Sequence, residues 1–283
     1  MPRVLDRAVM LTALMLAFGL SASMGLIGCS TAGEDTEARA DDEIDRLLED
    51  DVNTRGDSPP VLIGGPGART AGLYPIAEEG EWSNLSSGRA RSVGMSFFER
   101  ERFEEALPYF VHYTRRTPGS ADAHALVGQT YMAMGQPADA AVAFAVAHDL
   151  EPFNDDYFES LGIAKAASGE AEEAVAMASN VATERQDAAS FMVLGRVAET
   201  AGLLDEAETA YRRAAAIERG YYAPAQWALA DLYAAIGDRR SEILRLRVLL
   251  SLLPRDEAVK ARLRALDQVP GPSLALTPGS VEN

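Results

Sequence analysis

Small and aromatic residues recur along this chain at a near-constant interval, and that interval leaves little choice of fold. Between Ala121 and Asn154 the order is Val127-Gly128, Tyr131, Ala140, Phe144, Ala147 and Pro152, with Gly135-Gln136-Pro137 between two amphipathic stretches. Gly128 and Ala140 stand where two helices must touch. Tyr131 and Phe144 fill the space beside them. Pro152 ends the second helix, because it cannot donate the next backbone bond. Upstream, Ser87 to Ser120 repeats the order as Val93-Gly94, Phe97, Ala106, Phe110 and Pro118. Downstream, Asp155 to Asp187 keeps Leu161-Gly162 and Ala174 but is one residue shorter. Lys165 and Ala178 stand there in place of aromatics, and Gln186 in place of the proline. Ala188 onward restores Leu194-Gly195, Ala207, Tyr211 and Ala214. A fifth copy from Ala223 has Leu229-Ala230, Tyr233 and Pro254, with Glu242 where the packing alanine belongs. Glycine recurs at the helix–helix turn as Gly135, Gly169, Gly202 and Gly237, suited to a left-handed C-cap. No single hairpin of this kind can bury its own apolar face, so each needs its neighbours.

The pattern resembles the tetratricopeptide repeat, a helix–turn–helix unit of about 34 residues. The resemblance implies an all-α fold: a right-handed superhelical solenoid of about five repeats over residues 87–268, without a β-sheet of consequence. Asp256 to Asp267 reads as a C-terminal capping helix, which repeat arrays need. The expected division is a signal peptide at 1–28, an acidic tether at 29–86, the repeats at 87–268 and a flexible tail at 269–283.

Charge narrows the partners. The chain carries 43 acids against 26 bases. Residues 30–85 hold 14 Asp/Glu and 4 Lys/Arg, and residues 86–268 hold 27 and 20. There is no basic stripe, so nucleic acid is not an expected partner. The one cysteine, Cys29, permits no internal disulfide. Arg3 and Arg7 precede the apolar run Ala8 to Leu20, of signal-peptide length. Leu26-Ile27-Gly28-Cys29 then resembles a bacterial lipobox, which implies acylation of the Cys29 thiol and cleavage before it. An uncleaved membrane span from Ala8 to Gly28 is the competing reading. Each buried methylene of a lipid contributes about 0.8 kcal/mol, so two or more chains anchor stably. Ser30 after the cysteine points, by resemblance to enteric bacteria, to the periplasmic face of the outer membrane.

Residues 30–85 are rich in Asp, Glu, Gly and Pro, which argues against a packed core. As a flexible coil they would span roughly 40 Å. Asp42 to Val52 places Ile44, Leu47 and Leu48 on one helical stripe. Val61 to Gly67 is a Gly/Pro linker and no phosphate loop, since no Gly-Lys-Ser/Thr follows. Leu73-Tyr74-Pro75-Ile76 can pack on the first repeat. Pro270 to Asn283 is expected to fray.

No catalytic constellation is visible, and neither an enzyme, a cofactor nor a metal site is expected. The three histidines, His112, His124 and His148, fall at different repeat positions, and none has a partner at metal-ligand spacing on its helix. The tetratricopeptide resemblance implies that first helices line a groove. Carried over by position, the partner-binding residues are Arg91, Met95 and Phe98, then Gln129 and Met132, then Glu159 and Ile163. Met192, Arg196 and Glu199 follow, with Trp227 and Asp231 in the last repeat. The Lys/Asn pairs with which some family members grip a peptide carboxylate are missing. Methionine and aromatic side chains instead suit adaptable apolar contact with a protein or peptide. The implied function is an envelope scaffold, of the kind that helps assemble pilus, secretion or outer-membrane complexes. A structural adaptor acting by self-association, and an accessory subunit of a cell-wall or polysaccharide enzyme, are the alternatives.

Overall fold

The computed structural model describes Tyr74 and residues 81–278. Cys29, the lipobox and the tether stripe at Ile44 to Leu48 lie outside the described residues. Among the described residues there are eleven α-helices and no strand, as the repeat spacing predicts. They are α1 (Ser87–Glu99), α2 (Phe103–Arg116), α3 (Ala121–Ala133), α4 (Pro137–Leu150), α5 (Asp155–Ala167) and α6 (Ala171–Arg185). α7 (Ala188–Thr200), α8 (Leu204–Ile217), α9 (Ala223–Ile236), α10 (Arg239–Leu252) and α11 (Glu257–Ala265) follow. The chain divides into two compact units, one through Tyr157 and one from Phe158.

Five hairpin turns are built alike. In each, the residue after the turn returns its N–H to a carbonyl five positions back: Arg102 to Phe97, Gln136 to Tyr131, Glu170 to Lys165, Leu203 to Ala198 and Asp238 to Tyr233, at 2.8–3.0 Å. This 6→1 bond satisfies a carbonyl that the helix end leaves unpaired. It requires a left-handed residue just before it. Gly135, Gly169, Gly202 and Gly237 take φ between 71° and 100°. In the first hairpin Glu101 takes φ 61° instead, where its Cβ works against the conformation. Side-chain caps begin several helices. Ser86, Ser120, Asp187, Asp238 and Asp256 each accept a backbone N–H of the first turn.

The first unit begins before Ser87, inside the stretch assigned above to the tether. A 3-10 turn at Glu81–Asn84 places Trp82 edge-on to Tyr109, with centroids 6.0 Å apart. Leu85 is buried, and His112 Nε2 donates to its carbonyl at 2.9 Å. Pro108 lies inside α2, beyond its first turn. Its missing N–H leaves the Glu104 carbonyl without that helical bond. Glu104 is exposed, so water can take the place of the donor.

The second unit carries the capping helix α11 and, after it, a segment around Leu274 that folds back on the last hairpin. Leu274 and Ala275 pack against a cluster of Ala230, Leu246, Leu249, Leu250, Val259 and Leu263. Arg247 Nε donates to the Leu274 carbonyl at 2.8 Å, and Leu276 N–H donates to the Arg247 carbonyl at 3.0 Å. Leu274 to Leu276 are thus held against the apolar side of the last hairpin and cap, while Val269 stays exposed.

Candidate protein-binding faces

The faces are set by hairpin packing. In the first unit, α1 and α2 close around Gly94, where an added Cβ would lie 2.7 Å from the Phe110 ring. Gly128 meets Phe144 in the same way at 2.8 Å. Met95 and Gln129, next to these glycines, stand about 100° around α1 and α3 from the packed glycine, and Met95, Gln129 and Met132 are all half-buried. Arg91 is exposed, and its Nε donates to Asp122 at 3.0 Å, joining α1 to α3. Such an exposed pair contributes little stability. Phe98 is half-buried and packs edge-on to Phe103 at 5.1 Å and Phe110 at 6.3 Å. Most of its ring therefore serves the α1/α2 contact.

In the second unit the expected site residues separate into core and network. Met192 is 4% exposed and belongs to the core with Phe191, Tyr211, Leu229 and Leu232. Ile163 is buried as well. Both are corrected from groove to interior, because neighbouring helices close over these positions. Arg196 makes a bidentate pair with Glu159, linking α7 to α5. Burial opposes the Arg196 charge, but the Glu159 carboxylate outweighs it and holds the guanidinium pKa above its usual value. A planar guanidinium on a carboxylate is the strongest of these arrangements. Glu199 counts as exposed by residue, yet burial around its carboxylate raises its pKa. The Tyr211 hydroxyl donates to it at 2.8 Å and partly offsets that rise.

The last hairpin and the cap share one arginine. Arg262 of α11 pairs with Asp231, donates to Glu242 Oε1 at 2.7 Å and to the Ala230 carbonyl at 2.8 Å. Its guanidinium also lies 5.9 Å from the centroid of the Trp227 ring. Asp231 and Trp227, expected to face a partner, thus hold the cap as well. Glu242, the residue that breaks the alanine pattern, is buried and is the acceptor this arginine requires.

Sequence reasoning missed Tyr211 and Arg262. Tyr211 had a visible signal: it is tyrosine where the first two repeats have Phe110 and Phe144, and a buried hydroxyl needs a partner. Glu242 was the corresponding signal for Arg262. Among the described residues, no group of three or more His, Cys, Asp or Glu could hold a metal ion. No helix among them is long and apolar enough to cross a membrane.

No protein-family model matches the chain, and no curated protein matches it. Among solved structures, it is similar to a tetratricopeptide repeat protein from Parabacteroides merdae at 14% identity, covering 83% of this chain and 98% of that one, TM-score 0.48. It is similar to TTC0263, a thermophilic tetratricopeptide protein of Thermus thermophilus, at 19% identity, covering 64% and 98%, TM-score 0.47. It is also similar to PilW, a widely conserved type IV pilus biogenesis factor, at 16% identity, covering 90% and 98%, TM-score 0.47. Identities this low, at TM-scores under 0.5, leave every functional step to the residues of this chain.

Proposed function

We propose that this chain is a lipid-anchored protein of a bacterial cell envelope whose helical repeats hold a protein or peptide partner. The observation that carries the reading is the makeup of the first-helix faces. In the first unit Met95, Gln129 and Met132 are half-buried side chains set beside the Arg91–Asp122 pair. In the second unit the Glu159–Arg196 pair and the Glu199 carboxylate flank one another on α5 and α7. Faces of this kind give an apolar segment contact area and place charges to orient it. Scaffolding a pilus, secretion or outer-membrane complex, without catalysis, is the role these features support. Anchoring is inferred from Leu26-Ile27-Gly28-Cys29, and the periplasmic face of the outer membrane from Ser30 after it.

The test compares variants of one bait. The full chain is expressed in a bacterium with a lipoprotein pathway, and partners are captured from solubilised envelope. Met95→Ala with Met132→Ala should weaken capture of a defined partner by more than about 1 kcal/mol, with an unchanged melting curve. Cys29→Ala should release the protein from membranes. Undiminished capture by the double variant overturns the binding face. Unchanged membrane association of Cys29→Ala overturns the anchor.

A further inference from the structure

We propose that Tyr74 and His124 form a clasp that holds Tyr74 against α3, and that acid opens it. Tyr74 is 5% exposed and its hydroxyl lies 2.7 Å from His124 Nδ1, across 50 residues of chain. Its ring also meets the rings of His124 at 5.9 Å and Tyr131 at 6.4 Å. His124 is wholly buried. Its Nε2 lies 3.3 Å from the Pro118 carbonyl. A carbonyl only accepts, so Nε2 carries the proton and Nδ1 offers its lone pair to the Tyr74 O–H. Both nitrogens are thus committed while the clasp is closed.

A second proton must go to Nδ1, where Tyr74 is already donating. The bond would have to invert, and the phenol proton would need another acceptor in a buried place. The new charge would also be buried. Charged groups on α2, α3 and α4 act on other residues. Asp122 of α3 pairs with Arg91. Asp139 of α4 acts on Tyr131. Arg115 and Arg116 of α2 act on His112. Burial lowers the His124 pKa below the usual 6.5, and the Pro118 carbonyl only partly restores it. The open state lets water reach the ring and takes up the proton more readily. By linkage the closed state is fully favoured above pH 6.5 and loses ground as pH falls below it.

The test uses the full chain in detergent with 3-fluorotyrosine placed at position 74. Fluorine spectra are recorded from about pH 7.5 to about pH 5, beside imidazole carbon spectra of the histidines. A buried fluorine signal should give way to an exposed one as pH drops, with helix content unchanged. In Tyr74→Ala the His124 midpoint should rise toward 6.5 while that of His112 stays put. Tyr74→Phe, which keeps the ring and loses only the donor and is read with 3-fluorophenylalanine at position 74, should open at higher pH than wild type. A fluorine signal that does not change while His124 titrates overturns the clasp. So does a His124 midpoint untouched by Tyr74→Ala. Helix content falling in step with the fluorine signal assigns the release to unfolding, and the proposal fails.

Discussion

In the hairpin α3/α4 the Phe144 ring lies on Gly128, while in α5/α6 no ring lies on Gly162. Ala178 stands at the position of Phe144, and it is buried without filling that space. The gap is taken from outside the hairpin: Val197 of α7 comes to 2.7 Å from where a Gly162 Cβ would be, with the Met177 methyl at 3.7 Å. Lys165, in the place of Tyr131, closes the turn with charge, reaching Glu170 at 2.7 Å and Glu173 at 2.9 Å. One hairpin is packed from within, and the other borrows its core from the next. A repeat that departs from the pattern in sequence is therefore not a hole in the array. Its stability has moved into the interface with its neighbour, where a one-dimensional array can accommodate it.

That comparison can be broken by deletion. Phe144→Ala should cost about 3–5 kcal/mol, the range for emptying a buried aromatic site. Val197→Ala, at a site with no exposure, should cost about 2 kcal/mol and loosen α5/α6 as much as α7/α8. Urea melts give both costs, and hydrogen exchange on α5 and α7 locates the second. If α5 keeps its protection in Val197→Ala, the borrowed core is refuted. Adding a methyl group is the next test. Gly195 sits tightest: an added Cβ would run into the Tyr211 ring, which Glu199 holds by its hydroxyl. Gly195→Ala should destabilise by about 1–3 kcal/mol through overpacking. Gly162→Ala meets a single methyl, and a helix-propensity gain of about 1 kcal/mol should bring it close to neutral.

Acid should separate the two units. His112, His124 and His148 all lie in the first. Burial lowers the pKa of His112 and of His124 below 6.5. Groups kept neutral in the folded state contribute stability above the unfolded pKa and lose it as pH falls below 6.5. The second unit has no histidine, and its Glu199 works in the other direction. Its raised carboxyl pKa favours the folded state below 4.5 and disfavours it as pH rises through the folded value. Between neutral pH and about pH 5, the first unit should lose melting temperature and the second should not. Hydrogen exchange resolved by unit checks this, and an equal loss in both would refute it. The smallest effect is expected at the first turn. Glu101→Gly should stabilise the α1/α2 hairpin by about 1 kcal/mol by relieving a left-handed φ, read as a rise in the urea midpoint.

The helices were legible because their signals are local. Gly135 announces a left-handed cap, Pro152 a helix end and Gly128 a close approach, and each acts within a few residues of itself. The faces were less legible. Met192 and Met132 are the same residue type on first helices, yet one is core and the other half-buried. The segment at Leu274 also went against local expectation, because the apolar cluster of the last hairpin and cap captures it.

By itself the sequence determined the helix hairpins, their turns and the order of the repeats, because backbone caps and glycine–aromatic contacts depend on short-range spacing. Only the tertiary structure decided that Val197 completes the third hairpin, that Arg262 uses Glu242 and Asp231 to hold the cap, and that Tyr74 reaches His124. Those contacts join residues far apart in the chain. Whether a side chain meets solvent, a counter-charge or a neighbour's core depends on which helix packs beside it, and no spacing within one repeat contains that information.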